Sequence, residues 1–281
     1  MTDSRRTESV IGTVERQARI VAMVRAQESV EIGELTKTLD VSRETVRKDL
    51  YQLDRAGLLT KVRGGAVLTS GNHETAYVAR RTSHAAAKRA IARAAAQLVG
   101  PADTVFLDYG TTTYAIAEEL VQLEGITVVT NALPIANLLV PNVGITVILP
   151  GGVVRANEGS VYGPLTENNL AQLHMDWGFF GCGGVHRTNG VTNHDMFETA
   201  ISRLAIAHST KVILVADHTK FGVAAQNKTA ELNTFDLVIT DSQAPADILG
   251  HLRDIGVPTD VVDPSTSDPE PAQTERGEDS Q

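Results

Sequence analysis

The sequence of 281 residues predicts an α/β protein with two domains, a small helical domain followed by an open, mainly parallel sheet domain. Before residue 70, apolar residues recur at helical spacing in three short segments. From about residue 83, short continuous apolar strands alternate with helices, which is typical of a parallel sheet covered on both faces. We therefore expect one domain at 13–68, a linker at 69–82, a second domain at 83–263 and a disordered acidic tail at 264–281.

The composition excludes several classes of protein. Hydrophobic residues make up 42% and charged residues 21% of the chain, which is ordinary for a globular protein. The single cysteine, Cys182, cannot form an internal disulfide, and this fits a reducing compartment. No apolar run reaches the roughly 18 residues of a membrane span, and the first ten residues lack the apolar core of a signal peptide. We expect a cytoplasmic protein without membrane contact.

The net charge of −9 argues against a nucleic-acid partner, but the charge is unevenly distributed. Residues 1–70 hold 12 Lys and Arg against 10 Asp and Glu, a net charge of +2, and the remaining residues carry −11. Attraction to phosphate is local, because charges in solution are screened beyond about 8 Å. A mildly basic first domain can therefore bind DNA if its cations lie on one surface.

In the first domain, the spacing predicts helices at 13–27, 33–39 and 42–56. Ser42 is a favourable N-cap for the third helix, and Gly57 is a natural C-terminal stop. Residues 58–63 and 64–68 are β-prone and meet at a Gly-Gly turn, the outline of a small β-wing. Residues 69–82 are polar, and we expect them to form an irregular linker.

The third helix combines an apolar face with a polar and cationic start. Val46, Leu50 and Leu53 share one face and should pack on the first two helices. Arginine can donate two hydrogen bonds to the edge of guanine in the major groove, and cations of the wing can contact backbone phosphates. A solvated amphipathic helix would carry similar charges, but the three helices, the tight turn at 40–42 and the basic wing together favour a winged helix-turn-helix that binds double-stranded DNA. The residues predicted to contact DNA are Ser42, Arg43, Glu44, Thr45, Arg47, Lys48, Lys61 and Arg63.

In the second domain, apolar strands alternate with helices to the end of the predicted fold. We expect strands at 104–108, 126–130, 145–150, 177–181, 212–217 and 237–241. We expect helices at 84–99, 132–139, 164–173, 195–208 and 245–253, and one that follows the glycine turn at residue 110 and runs to residue 123. The tail from residue 264 contains acids and prolines but no apolar anchors.

Loops after the strands carry the candidate ligand residues, since open α/β sheets bind ligands there. The strongest segment is Asp108 followed by Gly110, Thr111 and Thr112. Gly110 permits close backbone approach, the threonines offer hydroxyl and amide donors, and the following helix directs its positive end to the same place. A phosphate group would fit there. The alternative is a capped helix after a glycine turn without any ligand, and Asp108 would then organise its own loop.

Further candidates end the other strands, namely Asn131, Gly151, Gly152, Gly184, Asp195 and Lys220. Lys220 could pair with an anion or donate to a sugar hydroxyl, or it could be a surface lysine. Asp195 could be a simple N-cap, and Cys182 fits a packed residue better than a nucleophile. The isolated His174, His208 and His251 lack metal-ligand spacing, so we predict no metal and no cofactor.

Two sets of motifs make the sequence recognisable. In the first domain, Arg16, Ile20 and Val24 at four-residue spacing precede the run from Ser42 to Leu50, and Leu53 follows. In the second, the motifs are Asp-x-Gly-Thr-Thr, Val-Thr-Asn, Leu-Pro-Gly-Gly and Ala-Asp-His-Thr-Lys-Phe-Gly. Over roughly residues 13–255 the sequence resembles the DeoR family of bacterial transcriptional regulators, whose usual mode is repression.

The resemblance implies several roles. Arg47 and Lys48 would face DNA, and Asp49 would be structural, bonding a neighbouring backbone group or an arginine. The second domain would be a sensor similar to the ribose-phosphate isomerase fold, with a phosphorylated sugar as effector. By carry-over, its ligand residues would be Asp108, Gly110, Thr111, Thr112, Asn131 and Lys220. We therefore expect a repressor of carbohydrate metabolism genes whose operator binding this effector controls.

Two other functions compete with this interpretation. A sugar-phosphate isomerase with a fused interaction domain would need a carboxylate base, and isomerases of this fold carry acids in the loop equivalent to 181–185. Here that loop has none, and many regulators of the family keep one acid at the position of Gly183. We expect binding without turnover and no catalytic residues. The third possibility is a DNA-binding scaffold whose second domain only oligomerises.

Regulation of this kind requires two states that the ligand binds unequally. Each chain has one DNA-reading head, whereas operators of such regulators pair two half-sites. We therefore expect a homo-oligomer, a dimer or a tetramer.

Overall fold

The computed structural model describes residues 12–27, 29–55, 58–67 and 77–265. Contacts divide the chain into a head, Met1–Ser83 with Ala156–Glu158, and a body, His84–Arg155 with Gly159–Gln281. Most of the predicted tail, from residue 266 onward, lies outside the described residues. None of the helices in the described ranges has the length and apolar content needed to span a bilayer.

The head has three helices and a small antiparallel sheet in the order β1-β3-β2. Its elements are α1 (Thr13–Gln27), β1 (Ser29–Glu31), α2 (Ile32–Leu39), α3 (Arg43–Arg55), β2 (Thr60–Val62) and β3 (Gly65–Val67). The sequence predicts the helices and the wing but not β1, because three residues are too few to show strand alternation. β1 pairs with β3, so that the wing is a three-stranded sheet.

The core of the head is formed by the residues that the helical spacing predicts. Val46, Leu50 and Leu53 of α3 are buried against the other two helices, as expected. Ile20, Val24, Leu35 and Leu39 complete this core from α1 and α2, with Leu59 at the entry to the wing. The turn before α3 contains Asp40 in the left-handed conformation, at a φ of 50°, which ends α2 abruptly. α3 therefore presents its opposite face outward.

Part of the predicted linker is helical. Tyr77–Thr82 form α4, which has no buried residue, and the Ser83 amide donates to the Ala79 carbonyl. The prediction of an irregular segment is wrong for these residues, because a helix without a buried face leaves no apolar periodicity in the sequence. Residues 68–76 of the predicted linker lie outside the described ranges.

The body is built on a seven-stranded sheet whose six pairings are all parallel. Its order is β15-β14-β12-β9-β4-β5-β6. The strands are β4 (Thr104–Leu107), β5 (Ile126–Thr130), β6 (Ile145–Ile148), β9 (Met175–Phe180), β12 (Ser209–Val215), β14 (Leu237–Asp241) and β15 (Thr259–Val262). The sequence predicts six of them; β15 is half-exposed at the sheet edge and lacks the continuous apolar run of a central strand.

Six helices of the body agree with the predicted set to within a few residues. They are α5 (Ala85–Ala96), α6 (Thr111–Leu120), α7 (Leu133–Leu139), α8 (Pro164–Leu170), α9 (Met196–Ala207) and α10 (Ala246–Asp254). Val105 and Leu107 of β4 pack in one apolar cluster with α5, α6 and α7, whereas Phe106 packs in another with α9 and α10. The predicted sheet with two covered faces is thus confirmed.

Two small antiparallel sheets were not predicted. One is the hairpin of β7 (Val153–Arg155) and β8 (Ser160–Tyr162), and the other joins β10 (Gly184–His186), β11 (Gly190–Asn193) and β13 (Asn227–Ala230). These strands have three or four residues each, too short for a sequence pattern. Short 3₁₀ turns occupy His218–Lys220 and Leu232–Thr234.

The strand register brings the loop residues together at one edge of the sheet. Leu107 pairs with Thr130 on one side and with Phe179 on the other. Phe180 pairs with Leu214, and Val215 pairs with Ile239. The residues just after these strands are Asn131, Asp108, 181–183 and Asp217, and Asp241 is the last residue of β14. They therefore lie side by side, in strand order, at the carboxyl edge of the sheet.

Candidate functional sites

The start of α3 is open to solvent. Arg43, Arg47 and Lys48 are exposed, and so is Glu44. The Ser42 hydroxyl accepts a hydrogen bond from the Thr45 amide at 3.1 Å, which is the N-cap predicted from the sequence. The cations predicted to read DNA are thus presented outward by a capped helix.

A groove of about 990 Å³ runs along this face of the head. Its lining includes six of the eight residues predicted to contact DNA, namely Ser42, Glu44, Thr45, Arg47, Lys48 and Lys61. Arg43 and Arg63 are exposed but do not line it. The Lys61 ammonium lies over the Tyr51 ring, 5.6 Å from its centroid. A cation of the wing and an aromatic ring of α3 therefore lie together in the lining of the groove.

Arg47 is accessible despite a neighbouring acid. One guanidinium nitrogen lies 3.8 Å from a Glu44 carboxylate oxygen, with side chains 59% and 85% exposed. An ion pair that is this long and this exposed contributes little and is easily exchanged for another anion. Its geometry leaves the guanidinium available to a base edge or a phosphate.

Beneath the groove, Arg16 of α1 and Asp49 of α3 form a buried ion pair. Arg16 Nε donates to Asp49 Oδ2 at 2.6 Å, and an Arg16 terminal nitrogen donates to Oδ1 at 3.2 Å. Gln17 donates to the same carboxylate at 3.2 Å. The expected structural role of Asp49, bonding an arginine, is confirmed, and the pair fixes α3 against α1.

In the body, Asp108 lies at the centre of the carboxyl edge and is fully buried. Its Oδ2 accepts from the Ser202 hydroxyl at 2.8 Å, and its Oδ1 accepts from the Tyr109 amide at 2.9 Å. Burial raises the pKa of Asp108 to about 7, against the opposing effect of the Ser202 and Tyr109 hydrogen bonds. Asp108 therefore organises its own loop, one of the alternatives that the sequence left open.

The next residues form the entry to α6. Gly110 has a φ of 132°, a conformation that favours glycine, and it immediately precedes Thr111 at the helix start. Thr111 and Thr112 are buried in the first turn, where backbone amides and the helix dipole face outward along the axis. This is the geometry of an anion cradle.

Asn131 is a buried polar group at this edge. The residue is fully buried, and within the described residues neither its Oδ1 nor its Nδ2 has a hydrogen-bond partner. Its backbone carbonyl accepts from the Val161 amide at 2.7 Å, so the residue is held in place. Leaving such an amide unsatisfied costs about 1–3 kcal/mol per group, and a bound polar molecule would remove that cost.

Lys220 and Cys182 lie on the other side of Asp108. Lys220 is partly buried in the 3₁₀ turn after Asp217. Its positive charge is one of the influences that act to lower the pKa values of Asp217 and Cys182. Burial nevertheless raises the pKa of the Cys182 thiol to about 12, and this partly buried side chain packs against an apolar cluster of the body. The pKa of Asp217 is lowered in spite of burial, because Thr219 donates to it and Lys220 and Lys88 attract it.

Four further candidates have clear local roles. A side chain on Gly152 would meet the Thr166 hydroxyl at 2.1 Å, and one on Gly184 would meet the Val223 carbonyl at 2.3 Å, so close packing requires both glycines. The Gly151 carbonyl accepts from Thr166 at 2.6 Å. Asp195 caps α9 by accepting from the Phe197 and Glu198 amides at 2.9 and 3.0 Å. Their contact with a ligand stays a prediction.

Sequence reasoning missed Lys88 on α5. This lysine is buried, and its charge acts on Asp217 at the same edge as Lys220. At the residue before α5, the ring of His84 meets the ring of His218 edge-on, with centroids 4.9 Å apart. Nothing in the Ala-rich sequence of α5 distinguishes Lys88 from a surface lysine, since its burial depends on the packing of α5 against the sheet.

In the ranges that the structure describes, no group of three or more His, Cys, Asp or Glu side chains could hold a metal ion. At the carboxyl edge, His218 Nδ1 lies 2.9 Å from Asp241 Oδ1.

Comparisons with known proteins identify both domains. A family model described as the DeoR-like helix-turn-helix domain matches residues 16–72, and one described as the DeoR C terminal sensor domain matches residues 83–242. The HTH-type transcriptional regulator GolR of Listeria innocua is 34% identical over 250 residues, covering 89% of this chain and 98% of that protein. The glycerol-3-phosphate regulon repressor of Escherichia coli K12 is 32% identical over 240 residues, covering 85% and 95%.

Solved structures are more distant. Ribose 5-phosphate isomerase A of Methanocaldococcus jannaschii has a TM-score of 0.36 at 15% identity, covering 48% of this chain and 53% of that one. The translation initiation factor eIF-2B of Pyrococcus horikoshii has a TM-score of 0.38 at 11% identity, covering 78% of each chain. Such distant likeness says nothing about function.

The family models and the relatives cover the same two parts of the chain that carry the groove of the head and the polar edge of the body. The sensor-domain match alone spans more than half of the chain. The chain therefore belongs to the DeoR family of DNA-binding transcriptional regulators.

Proposed function

We propose that this regulator represses genes of carbohydrate metabolism, and that a phosphorylated sugar at the carboxyl edge of the body's sheet controls its binding to operator DNA. The observation that carries the effector site is Asn131, a fully buried amide beside the anion cradle at the start of α6, whose two polar atoms have no partner in the part of the chain that the structure describes. A ligand with an anionic group and hydroxyls would match both features.

The DNA-binding part is supported by the head. Arg43, Arg47 and Lys48 are exposed at the start of α3, and Lys61 extends the same groove from the wing. Arginine forks onto guanine, whereas lysines on a wing contact phosphates. The name of the Escherichia coli relative, a glycerol-3-phosphate regulon repressor, supports repression under the control of a small phosphorylated metabolite.

We propose binding without turnover. The loop 181–184 contributes no carboxylate to the site. The buried acids nearby are engaged, since both Asp108 oxygens accept hydrogen bonds and Glu198 accepts from Arg155 and Ser160. A base for isomerisation must be able to reach a substrate carbon-bound proton. The competing function, a sugar-phosphate isomerase, would show itself by steady product formation in a turnover assay.

The protein is further proposed to act as a homo-oligomer, a dimer or a tetramer, in the bacterial cytoplasm. Each chain has one DNA-binding head, whereas helix-turn-helix operators contain paired half-sites. This difference supports an assembly of more than one chain. Sedimentation of the full-length chain checks it, and a monomer at the concentration that saturates an operator would contradict it.

The function is tested by operator binding in the presence of metabolites. The full-length protein first selects its operator from random DNA, and that operator is then titrated at fixed salt. The additions are glucose 6-phosphate, fructose 6-phosphate, ribose 5-phosphate and glycerol 3-phosphate, each beside its unphosphorylated form. We expect one phosphorylated compound to change operator affinity by about 5–150-fold.

The variants Thr112→Val and Lys220→Met should weaken binding of that compound, because each removes a donor to the anion. Lys228→Met is the matched control, because Lys228 is an exposed lysine of β13 that pairs with Glu231. Equal responses to the sugar and its phosphate would contradict the anion cradle. No response to any metabolite would favour a body that only oligomerises.

A further inference from the structure

A second buried amide, Asn193, lies at the end of β11. Its side chain is only 3% exposed, and its Oδ1 accepts a hydrogen bond from the Gly183 amide at 2.8 Å. Because a backbone amide can only donate, this contact fixes which end of the Asn193 side chain is oxygen and which is nitrogen. The NH₂ group is therefore directed away from the Gly183 amide.

The Asn193 NH₂ group has no hydrogen-bond partner in the described chain. The neighbouring amide of Asn227 is itself a donor, to the His194 carbonyl at 2.9 Å and to the Asn193 carbonyl at 3.5 Å. A buried donor without a partner costs about 1–3 kcal/mol and calls for an acceptor from outside the chain.

The position of Gly183 connects Asn193 to the effector site. Gly183 belongs to the loop that follows β9, and the strand register sets β9 beside β4, which ends just before Asp108. A side chain on Gly181, at the start of that loop, would lie 3.7 Å from the Tyr109 carbonyl. Asn193 therefore approaches, from the small antiparallel sheet, the loop that adjoins Asp108.

We propose that Asn193 is a specificity-determining residue that donates a hydrogen bond to a hydroxyl oxygen of the sugar. This inference rests on the proposed function and deepens it. The anion would occupy the start of α6, Asn131 would supply both a donor and an acceptor, and Asn193 would supply a second donor. The site would thus select a polyhydroxylated phosphate ester over a bare anion, because its buried amides remain unsatisfied when only the anion is bound.

The test uses Asn193→Leu in the full-length protein. Leucine branches at Cγ as asparagine does and carries no hydrogen-bonding group, and the Gly183 amide still has an acceptor in the Thr192 carbonyl at 2.8 Å. Calorimetry compares the variant with the wild type for inorganic phosphate and for the four phosphate esters named above. We expect the best wild-type ester to bind about 10–100-fold more weakly to the variant, and the affinity for inorganic phosphate to change less than twofold.

Two further variants make the result specific. Asn193→Asp keeps the acceptor for Gly183 but replaces the donor by a carboxylate oxygen, so it should also weaken the ester. Asn233→Asp introduces the same charge at an exposed position of the body and should leave every affinity unchanged. Fluorescence of Trp177, the single tryptophan of the chain, reports whether each body is folded.

The outcomes separate the two proposals. Unchanged ester affinity in Asn193→Leu would overturn the role of Asn193 and leave the effector site intact. A parallel loss of ester and inorganic phosphate binding would also overturn it, because the residue would then act only by supporting the loop. If none of the four esters binds the wild-type protein, the proposed function fails and this inference fails with it.

Discussion

At the scale of single residues, Arg47 is the exposed side chain that we propose to read a base pair of the operator. It lies on the outer face of α3, and its contact with Glu44 is too exposed to hold it firmly. Lys61, on the wing, lies over Tyr51, and we expect it to contact a backbone phosphate rather than a base. The two cations share a groove but should contribute to affinity in different ways.

We expect Arg47→Ala to weaken binding to the selected operator by about 1–3 kcal/mol and to relax the preference at one base pair. Lys61→Ala should weaken all sequences alike and reduce the salt dependence of binding. Mobility-shift titrations at several salt concentrations measure both effects. Arg187→Ala, an exposed arginine of the body, is the control. Unchanged operator affinity in Arg47→Ala would remove Arg47 from the interface.

Asp108 should give the stability of the body a distinctive pH dependence. Burial raises its pKa from 3.8 to about 7, so the folded body favours the protonated acid. The stabilisation is complete below the unfolded pKa near 3.8 and is lost as the pH rises through about 7. At about 1.4 kcal/mol per pKa unit, the loss reaches up to roughly 4 kcal/mol.

Asp108→Asn removes this titration while keeping partners for Ser202 and the Tyr109 amide. We expect the variant to gain stability relative to the wild type as the pH rises from 5 to 8. Urea unfolding followed by Trp177 fluorescence measures the difference, since the only tryptophan lies in β9 of the body. A difference that is independent of pH would show that Asp108 does not titrate in this range.

At the scale of elements, the glycine turn after β6 determines how α8 and the β7–β8 hairpin pack. Gly152 has a φ of 136°, and a side chain there would meet the Thr166 hydroxyl at 2.1 Å and the Tyr162 carbonyl at 2.6 Å. Gly250 is the opposite case, because it lies within α10 with nothing within 4 Å of an added methyl group. The two positions allow a matched comparison.

We expect Gly152→Ala to destabilise the body by at least about 2 kcal/mol, from backbone strain and overpacking together. Gly250→Ala should stabilise it by about 0.5–1 kcal/mol, because alanine is the better helix former. Unfolding of each variant, followed at Trp177, gives the sign and the size. A neutral Gly152→Ala would mean that the turn relaxes without cost.

At the scale of the whole molecule, regulation requires that effector and operator influence each other through the chain. If the effector lowers operator affinity by a given factor, thermodynamic linkage requires the operator to lower effector affinity by the same factor. Titrating the effector with and without saturating operator measures this. Factors that disagree at equilibrium would show that the two ligands do not share one two-state regulator.

The sequence by itself determined the helices and strands whose apolar residues recur at regular spacing, and the cap and turn whose residue types are distinctive. The helices of the head, the central strands of the body, the cap at Ser42 and the turn at Gly110 follow from apolar spacing, capping chemistry and backbone freedom. The domain limits and the residues that contact ligands stay predictions.

Tertiary structure alone decided the rest. β1, β15 and the two small sheets form because a partner strand satisfies their backbone groups, which no short sequence pattern records. Lys88 and Asn193 look like ordinary polar residues in the sequence, and only packing buries them beside Asp217 and Gly183. Local structure follows from neighbours along the chain, whereas burial and an unsatisfied hydrogen bond depend on neighbours in space.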